Sequence, residues 1–235
     1  MTRFIAIKIN YDNRYDNHPP LWWKRYTSLP SPEQYKEFVD RYNNDHVGGH
    51  GFHECLNFYK DKGNPVQIYL PPTCFPAAHL HNEDLVIFSF TYKSDPYESA
   101  SIVGVHAQTR IVSDRDGTKR GAHQQFSTNK RNRNPFTFHA ESCADLSTLI
   151  YPAIPYRVGQ GRHTPKYSRW GFGLRHLDPK HANYIIRDAL DKAGEALNDG
   201  AKTSVEKRHI RNEIGILEAI RAHYWPQKVG VSRNG

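Results

Sequence analysis

The sequence predicts an α+β fold, a β-rich body followed by a C-terminal helical hairpin. Three observations predict it. Apolar runs of β type recur at Phe4 to Ile9, Val66 to Leu70, Leu85 to Tyr92 and Ser101 to Val112, each next to turn residues. From Ile186 onward the apolar spacing changes to that of a helix, in two stripes parted by Asn198-Asp199-Gly200. Hydrophobic residues make up only 37% of the chain and aromatic ones 12%, so the core is aromatic-rich rather than aliphatic-rich.

Each element has a local reason. Phe4 to Ile9 alternates large apolar residues as a first strand and runs into the turn-rich Asn10-Tyr11-Asp12-Asn13. The adjacent Trp22 and Trp23 cannot both face one side of a strand, so at least one reaches a surface or a cleft. Ser31-Pro32-Glu33-Gln34 starts a helix, with serine at the N-cap, proline in the first turn and Gln34 at the capping-box position. Tyr35, Phe38, Val39 and Tyr42 follow at helical spacing. Val66 to Leu70 is a strand closed by Pro71-Pro72, and the near-continuous apolar run Leu85 to Tyr92 reads as a central strand. Asp95-Pro96 turns the chain into its partner, Ser101 to Ala107, which Thr109 to Val112 continues. Gly104 inside that partner predicts a bulge or a close approach by another backbone. Leu146 to Ile150 is a short apolar element ahead of the proline-containing Tyr151 to Pro155. In the hairpin, Ile186, Ala189, Leu190, Ala193 and Leu197 form one stripe. A Thr203/Glu206 capping box then opens a second, Ile210, Ile214, Leu217 and Ile220.

The charge balance points to a partner. Lysine and arginine total 32 against 24 acidic residues, a net +8, with 14 histidines besides. Nucleic acid is the first candidate for so basic a chain, with plain solubility as the alternative. The cations concentrate in two segments. Residues 113–134 carry Arg115, Lys119, Arg120, Lys130, Arg131 and Arg133 among asparagines and few apolar residues. This is either a solvated insertion or an arm that contacts phosphates. Residues 157–170 interleave Arg162, Lys166 and Arg169 with Gly159-Gln160-Gly161, Tyr167 and Trp170, a combination that grips a backbone and stacks on bases. The three cysteines are widely spaced without a CxxC pair, so no cysteine zinc site and no disulfide framework is indicated, and no metal or cofactor is expected. The opening is too short and too charged for a signal peptide, and no apolar run is long enough for a membrane span. The expectation is a cytoplasmic protein with no membrane partner.

One stretch carries more than a surface loop needs. Gly48-Gly49-His50-Gly51 is followed at once by His53-Glu54 and Asn57-Phe58. Glycines that let a backbone bend or approach a ligand, next to a carboxylate, an amide and rings, suit a pocket for a planar, hydrogen-bonding ligand. The alternative is a turn into a core element, with Leu56 and Phe58 pointing inward.

Taken in order, these features resemble the EVE/YTH-like branch of the PUA superfamily, above all the versions found in modification-dependent restriction systems. The likeness rests on Gly48-Gly49, Glu54 with Asn57-Phe58, Leu85 to Phe90, Ile102-Val103-Gly104, Ile154-Pro155 and Gly159-Gln160-Gly161. Arg3 to Lys8 and Leu21-Trp22-Trp23 are similar to the start of a YTH domain, where a tryptophan walls the base pocket. It covers roughly residues 3 to 175, each motif being short. The chain departs from the pattern at His106, where an aromatic residue is expected, and in the insertion at 113–134.

The resemblance implies a PUA/EVE/YTH-like β-barrel over residues 1–175 with flanking helices, and a hairpin over 176–235 packed on it. It implies a DNA-binding specificity module of a restriction or defence system. Such a module flips a modified base, methylation being the expected change, into an aromatic pocket. A flipped base forfeits a few kcal/mol of stacking and pairing, which the pocket returns by stacking at roughly 1–3 kcal/mol per base. Trp22 and Trp23 are the first candidates for the walls, with Phe58 and Tyr92 next. Asn57 and Asn10 are the candidates for reading the base edge, with Tyr11 beside them. Lys119, Arg120, Lys130, Arg131, Arg133, Arg162, Lys166 and Arg169 would hold the nucleic-acid backbone.

Rival readings remain. A reader of modified RNA on the same fold is one, since nothing in the residues separates ribose from deoxyribose. A nuclease acting on modified DNA is another. However, His79-Leu80-His81-Asn82-Glu83-Asp84 lacks the further spaced ligand of a ββα-metal unit, and Leu217 stands where an arginine-histidine nuclease motif needs its histidine. A third is an interaction module whose hairpin docks a partner protein, whereas the specificity module would have a nuclease or other effector subunit as its protein partner.

Overall fold

The computed structural model describes residues 1–9, 56–58, 60, 63–91, 100–119, 137–156, 162–163 and 173–226. The helix expected after Ser31 and the glycine-rich stretch from Gly48 to Cys55 lie outside these residues. The chain is α+β, a mixed sheet carrying two long helices. The strands are β1 (Thr2–Lys8), β2 (Val66–Ile68), β3 (Asp84–Thr91), β4 (Ala100–Ile111), β7 (Ala140–Ser142), β8 (Ser147–Tyr156) and β9 (Leu174–Leu177). They form one sheet in the order β2-β7-β4-β3-β1-β9, with β8 also on β4. A separate two-stranded ribbon joins β5 (Thr118–Lys119) to β6 (Thr137–Phe138). Among the described residues β2 and β9 end the sheet and do not pair with each other, so these strands form an open sheet rather than a closed barrel.

The apolar run of β3 is central, as its composition requires. It pairs in parallel with β1 and antiparallel with β4, and Leu85 to Phe90 are buried on both faces. The expected partner strand and its continuation form a single strand, β4, bulged twice. One bulge lies at Val103, where Ser89 faces Gly104 and Phe90 faces Ile102. The other holds Gln108 at φ +50°, in left-handed backbone. Gly104 does mark a close approach, most tightly by a ring and also by the Thr148 carbonyl, 3.2 Å from where a Cβ would sit. A Cβ there would sit 2.2 Å from Cε1 and Cζ of Phe58. His106, two residues on, stacks on that ring at 4.6 Å and 25°, filling the place where an aromatic residue was expected.

The proline-containing stretch Tyr151 to Pro155 is part of a strand. Along β8, Gly104 faces Leu149 and Ile102 faces Ile154, so Val103 alone stands opposite residues 150–153. Pro152 lies in that wide bulge, where the missing N–H removes no ladder bond. The N–H of Tyr151 is taken instead by Oε1 of Glu213, at 2.8 Å.

The helical hairpin forms as the stripes predict. Helix α1 (Pro179–Asn198) begins at a proline that needs no N–H in the first turn and stops at Asp199. Helix α2 (Ser204–Tyr224) carries the full capping box: the Thr203 hydroxyl accepts from Glu206 N–H, and Glu206 accepts from Thr203 N–H. Ile186, Ala189, Leu217 and Ile220 join Phe4, Phe88 and Ile154 in one core, so the hairpin is packed on the sheet. The opposite face of the sheet buries Ile5, Ile7, Phe58, Val66, Ile87 and Leu149 in a second cluster. The far end of α2 is pinned where β1 and β3 begin. There the Tyr224 hydroxyl accepts from Gln108 N–H at 3.1 Å and donates to Asp84 Oδ2 at 3.2 Å, and Trp225 stacks on Phe4. Among the described residues, no helix is long and apolar enough to cross a membrane.

Candidate nucleic-acid interface

The parallel pairing of β1 with β3 decides which segments meet. Both strands end at the same edge of the sheet, tied by the Ile9 N–H to Phe90 carbonyl bond at 2.8 Å. The next residues in the sequence are Asn10 and Tyr11 after β1, and Tyr92 after β3. The antiparallel neighbours bring more chain to the same end. Strand β8 finishes there with Tyr156 opposite Ala100, and β9 begins there with Leu174 opposite Ile7. So the segments holding Asn10, Tyr11, Trp22 and Trp23, then Tyr92, then Lys166 and Arg169, all depart from one end of the sheet. These residues themselves lie outside the described ones.

Two contacts fix this end. The Cys74 thiol donates to the Lys8 carbonyl at 3.5 Å, which locks the last residue of β1 to the 3-10 turn Pro72–Cys74. Gly173, at φ +91°, brings the chain back against the same turn, where a Cβ would lie 2.5 Å from the Thr73 carbonyl oxygen. Only glycine combines that backbone with that clearance.

The second basic segment is also held in its middle. Arg162 grips Asp188 of α1 with a forked contact: Nε donates to Oδ2 at 3.0 Å, and Nη2 pairs with Oδ1. The guanidinium lies over the ring of Tyr184, 5.3 Å from its centre and one turn earlier on the helix. His163 is buried and its Nε2 meets Oδ2 of the same carboxylate at 2.5 Å. Burial first, then the positive charges of Arg162 and His181, pushes the His163 pKa down to about 4. With its pKa that low the imidazole is neutral at pH 7, and its Nε2–H donates to the carboxylate. Asp188, His163 and Tyr184 were not singled out from the sequence. The local signal was only that Arg162-His163 sits mid-segment.

The remaining expected residues divide. Asn57 is fully buried, with its amide spent on the backbone of Tyr69: Nδ2 donates to the carbonyl at 2.9 Å and Oδ1 accepts from the N–H at 2.7 Å. It extends the edge of β2 as a surrogate strand residue. Phe58 is likewise fully buried, between Gly104 and His106. The first basic segment is rooted far from the other. It leaves β4 beyond Ile111, at the opposite end of a strand that spans about 36 Å if fully extended. There the backbone of Lys119 pairs with Thr137. Arg115 lies 5.9 Å from the centre of the Phe75 ring. Arg120, Lys130, Arg131 and Arg133 lie outside the described residues. Among the described residues, no group of three or more His, Cys, Asp or Glu side chains could hold a metal ion.

Comparison with protein-family models, curated proteins and solved structures gives no match to this chain.

Proposed function

We propose that the chain is a nucleic-acid-binding specificity module that reads a modified base of DNA, on a sheet that belongs to an EVE/YTH-like barrel, within a restriction or defence system. The observation that supports the reading most is the parallel β1–β3 pair. It sends the segments carrying Trp22, Trp23, Asn10, Tyr11 and Tyr92 from the same end of the sheet as a basic, glycine-containing segment. Segments that carry aromatic rings, amides and cations and leave from one end of the sheet are what a reader of a flipped base and its flanking phosphates would need. Asn57 and Phe58 are fully buried, so in this reading they serve the packing of the sheet rather than touch the base.

The test is a binding titration on matched duplexes that are unmodified or contain 5-methylcytosine, 5-hydroxymethylcytosine or N6-methyladenine. The same modified bases in RNA form a parallel arm, and Trp22→Ala and Trp23→Ala variants accompany the wild type. Tight binding to one modified duplex, weakened at least tenfold in a tryptophan variant, is the expected result. Equal, salt-sensitive binding to every duplex would reduce the protein to a general basic binder, and preference for the RNA arm would replace DNA by RNA.

A further inference from the structure

We infer that Asp188 is a positioning residue for nucleic-acid binding: it clamps Arg162 and His163 to helix α1, and Arg162 is an anchor rather than a phosphate contact. This deepens the proposed function and rests on it. The segment between β8 and β9 is a connection of 17 residues, numbered 157–173. A free connection of that length must be ordered when a ligand binds, and the ordering opposes affinity. Here it is fixed at Tyr156 by β8, at Arg162-His163 by Asp188, and at Leu174 by β9. The clamp divides it into 157–161, with the Gly159-Gln160-Gly161 run, and 164–173, with Lys166 and Arg169. Both pieces are short chains tied at each end, so less freedom remains to be lost on binding.

The chemistry separates an anchor from a contact. The Arg162 guanidinium already spends its fork on the Asp188 carboxylate and one face on Tyr184. His163 donates to the same carboxylate from a buried position and has no charge to offer a phosphate. The carboxylate of Asp188 repels a polyanion at long range. On charge alone, Asp188→Asn tightens nucleic-acid binding, and Arg162→Ala lowers the salt dependence by one contact. The clamp requires the opposite sign for the first and no change of slope for the second.

The experiment measures affinity against salt concentration on a duplex, for wild type, Asp188→Asn, Arg162→Ala and Arg162→Lys. Expected are a loss on the order of tenfold in Asp188→Asn and Arg162→Ala, and a slope of log K against log salt unchanged in Arg162→Ala. Arg162→Lys should resemble Arg162→Ala, because an ammonium cannot form the fork. Tighter binding by Asp188→Asn, or a slope reduced by about one in Arg162→Ala, would overturn the inference. A second arm uses no nucleic acid: limited trypsin digestion should leave the bond after Arg162 intact in the wild type and cut it early in Asp188→Asn. Equal cleavage in both would refute the clamp itself. If the wild type binds no nucleic acid while the digestion result holds, it is the proposed function that fails and not the clamp. Thermal melting of each variant shows that the fold survives.

Discussion

Glu213 offers the sharpest test of how the hairpin is joined to the sheet. Its side chain is 2% exposed on α2, and Oε1 accepts from the Tyr151 N–H in the wide bulge of β8. Among the described residues Oε2 has no hydrogen-bond partner. Burial pushes the Glu213 carboxyl pKa well above its ordinary value, opposed only by the Tyr151 bond. The folded state therefore holds a proton that the unfolded state releases. Stability from this group is complete below the unfolded carboxyl pKa and is lost as pH rises toward the folded one. One proton bound on folding corresponds to about 1.4 kcal/mol per pH unit across that window.

Two substitutions separate charge from hydrogen bond. Glu213→Gln keeps an acceptor for Tyr151 and cannot ionise. It should be more stable than wild type at pH 7 and lack this part of the pH dependence. Glu213→Leu cannot ionise either, but leaves a buried N–H unpaired, and should be about 1–3 kcal/mol less stable than Glu213→Gln at every pH. Urea unfolding at half-unit steps from pH 4.5 to 8 measures both, with histidine titration cancelling in the differences between proteins. Identical pH slopes for wild type and Glu213→Gln would refute the buried neutral acid. Equal stabilities of the glutamine and leucine variants would refute the role of the Tyr151 bond.

Two further substitutions test the packing around Asn57 and Phe58. Gly104→Ala forces a methyl group into the ring of Phe58 and should cost about 1–3 kcal/mol by thermal melting, with part of the loss recovered in the Gly104→Ala, Phe58→Leu double variant. Simple additivity of the two changes would show that the ring does not hold that position. Asn57→Ala removes both hydrogen bonds to Tyr69 and should lower stability by about 2 kcal/mol, while nucleic-acid affinity measured well below the melting temperature stays within a few-fold of wild type. A large affinity loss at unchanged stability would return Asn57 to the base pocket.

The sequence by itself determined what local physics controls. Apolar β-type runs, alternating in β1 and near-continuous in β3, placed the cores of β1, β3 and β4, and the helical stripes and the Thr203/Glu206 box placed both helices, because period and caps act within a few residues. It also marked Gly104 as a close approach and located both basic segments. It missed the strand through Pro152 and Pro155, because proline is permitted in a bulge, as at Pro152, and in a strand with a paired neighbour on one side, as β8 has at Pro155 among the described residues. Tertiary structure alone decided which polar groups are already spoken for. Asn57 meets Tyr69 12 residues away, His163 meets Asp188 25 away, Glu213 meets Tyr151 62 away and Tyr224 meets Asp84 140 away. No window of sequence reports such partners, and an amide or a guanidinium looks equally fit for a ligand until its partner is known. The same holds for the strand pairing. Parallel β1 and β3 are joined by a long connection, so only the assembled sheet shows that one basic segment shares its end with the aromatic segments while the other is rooted at the far end of β4.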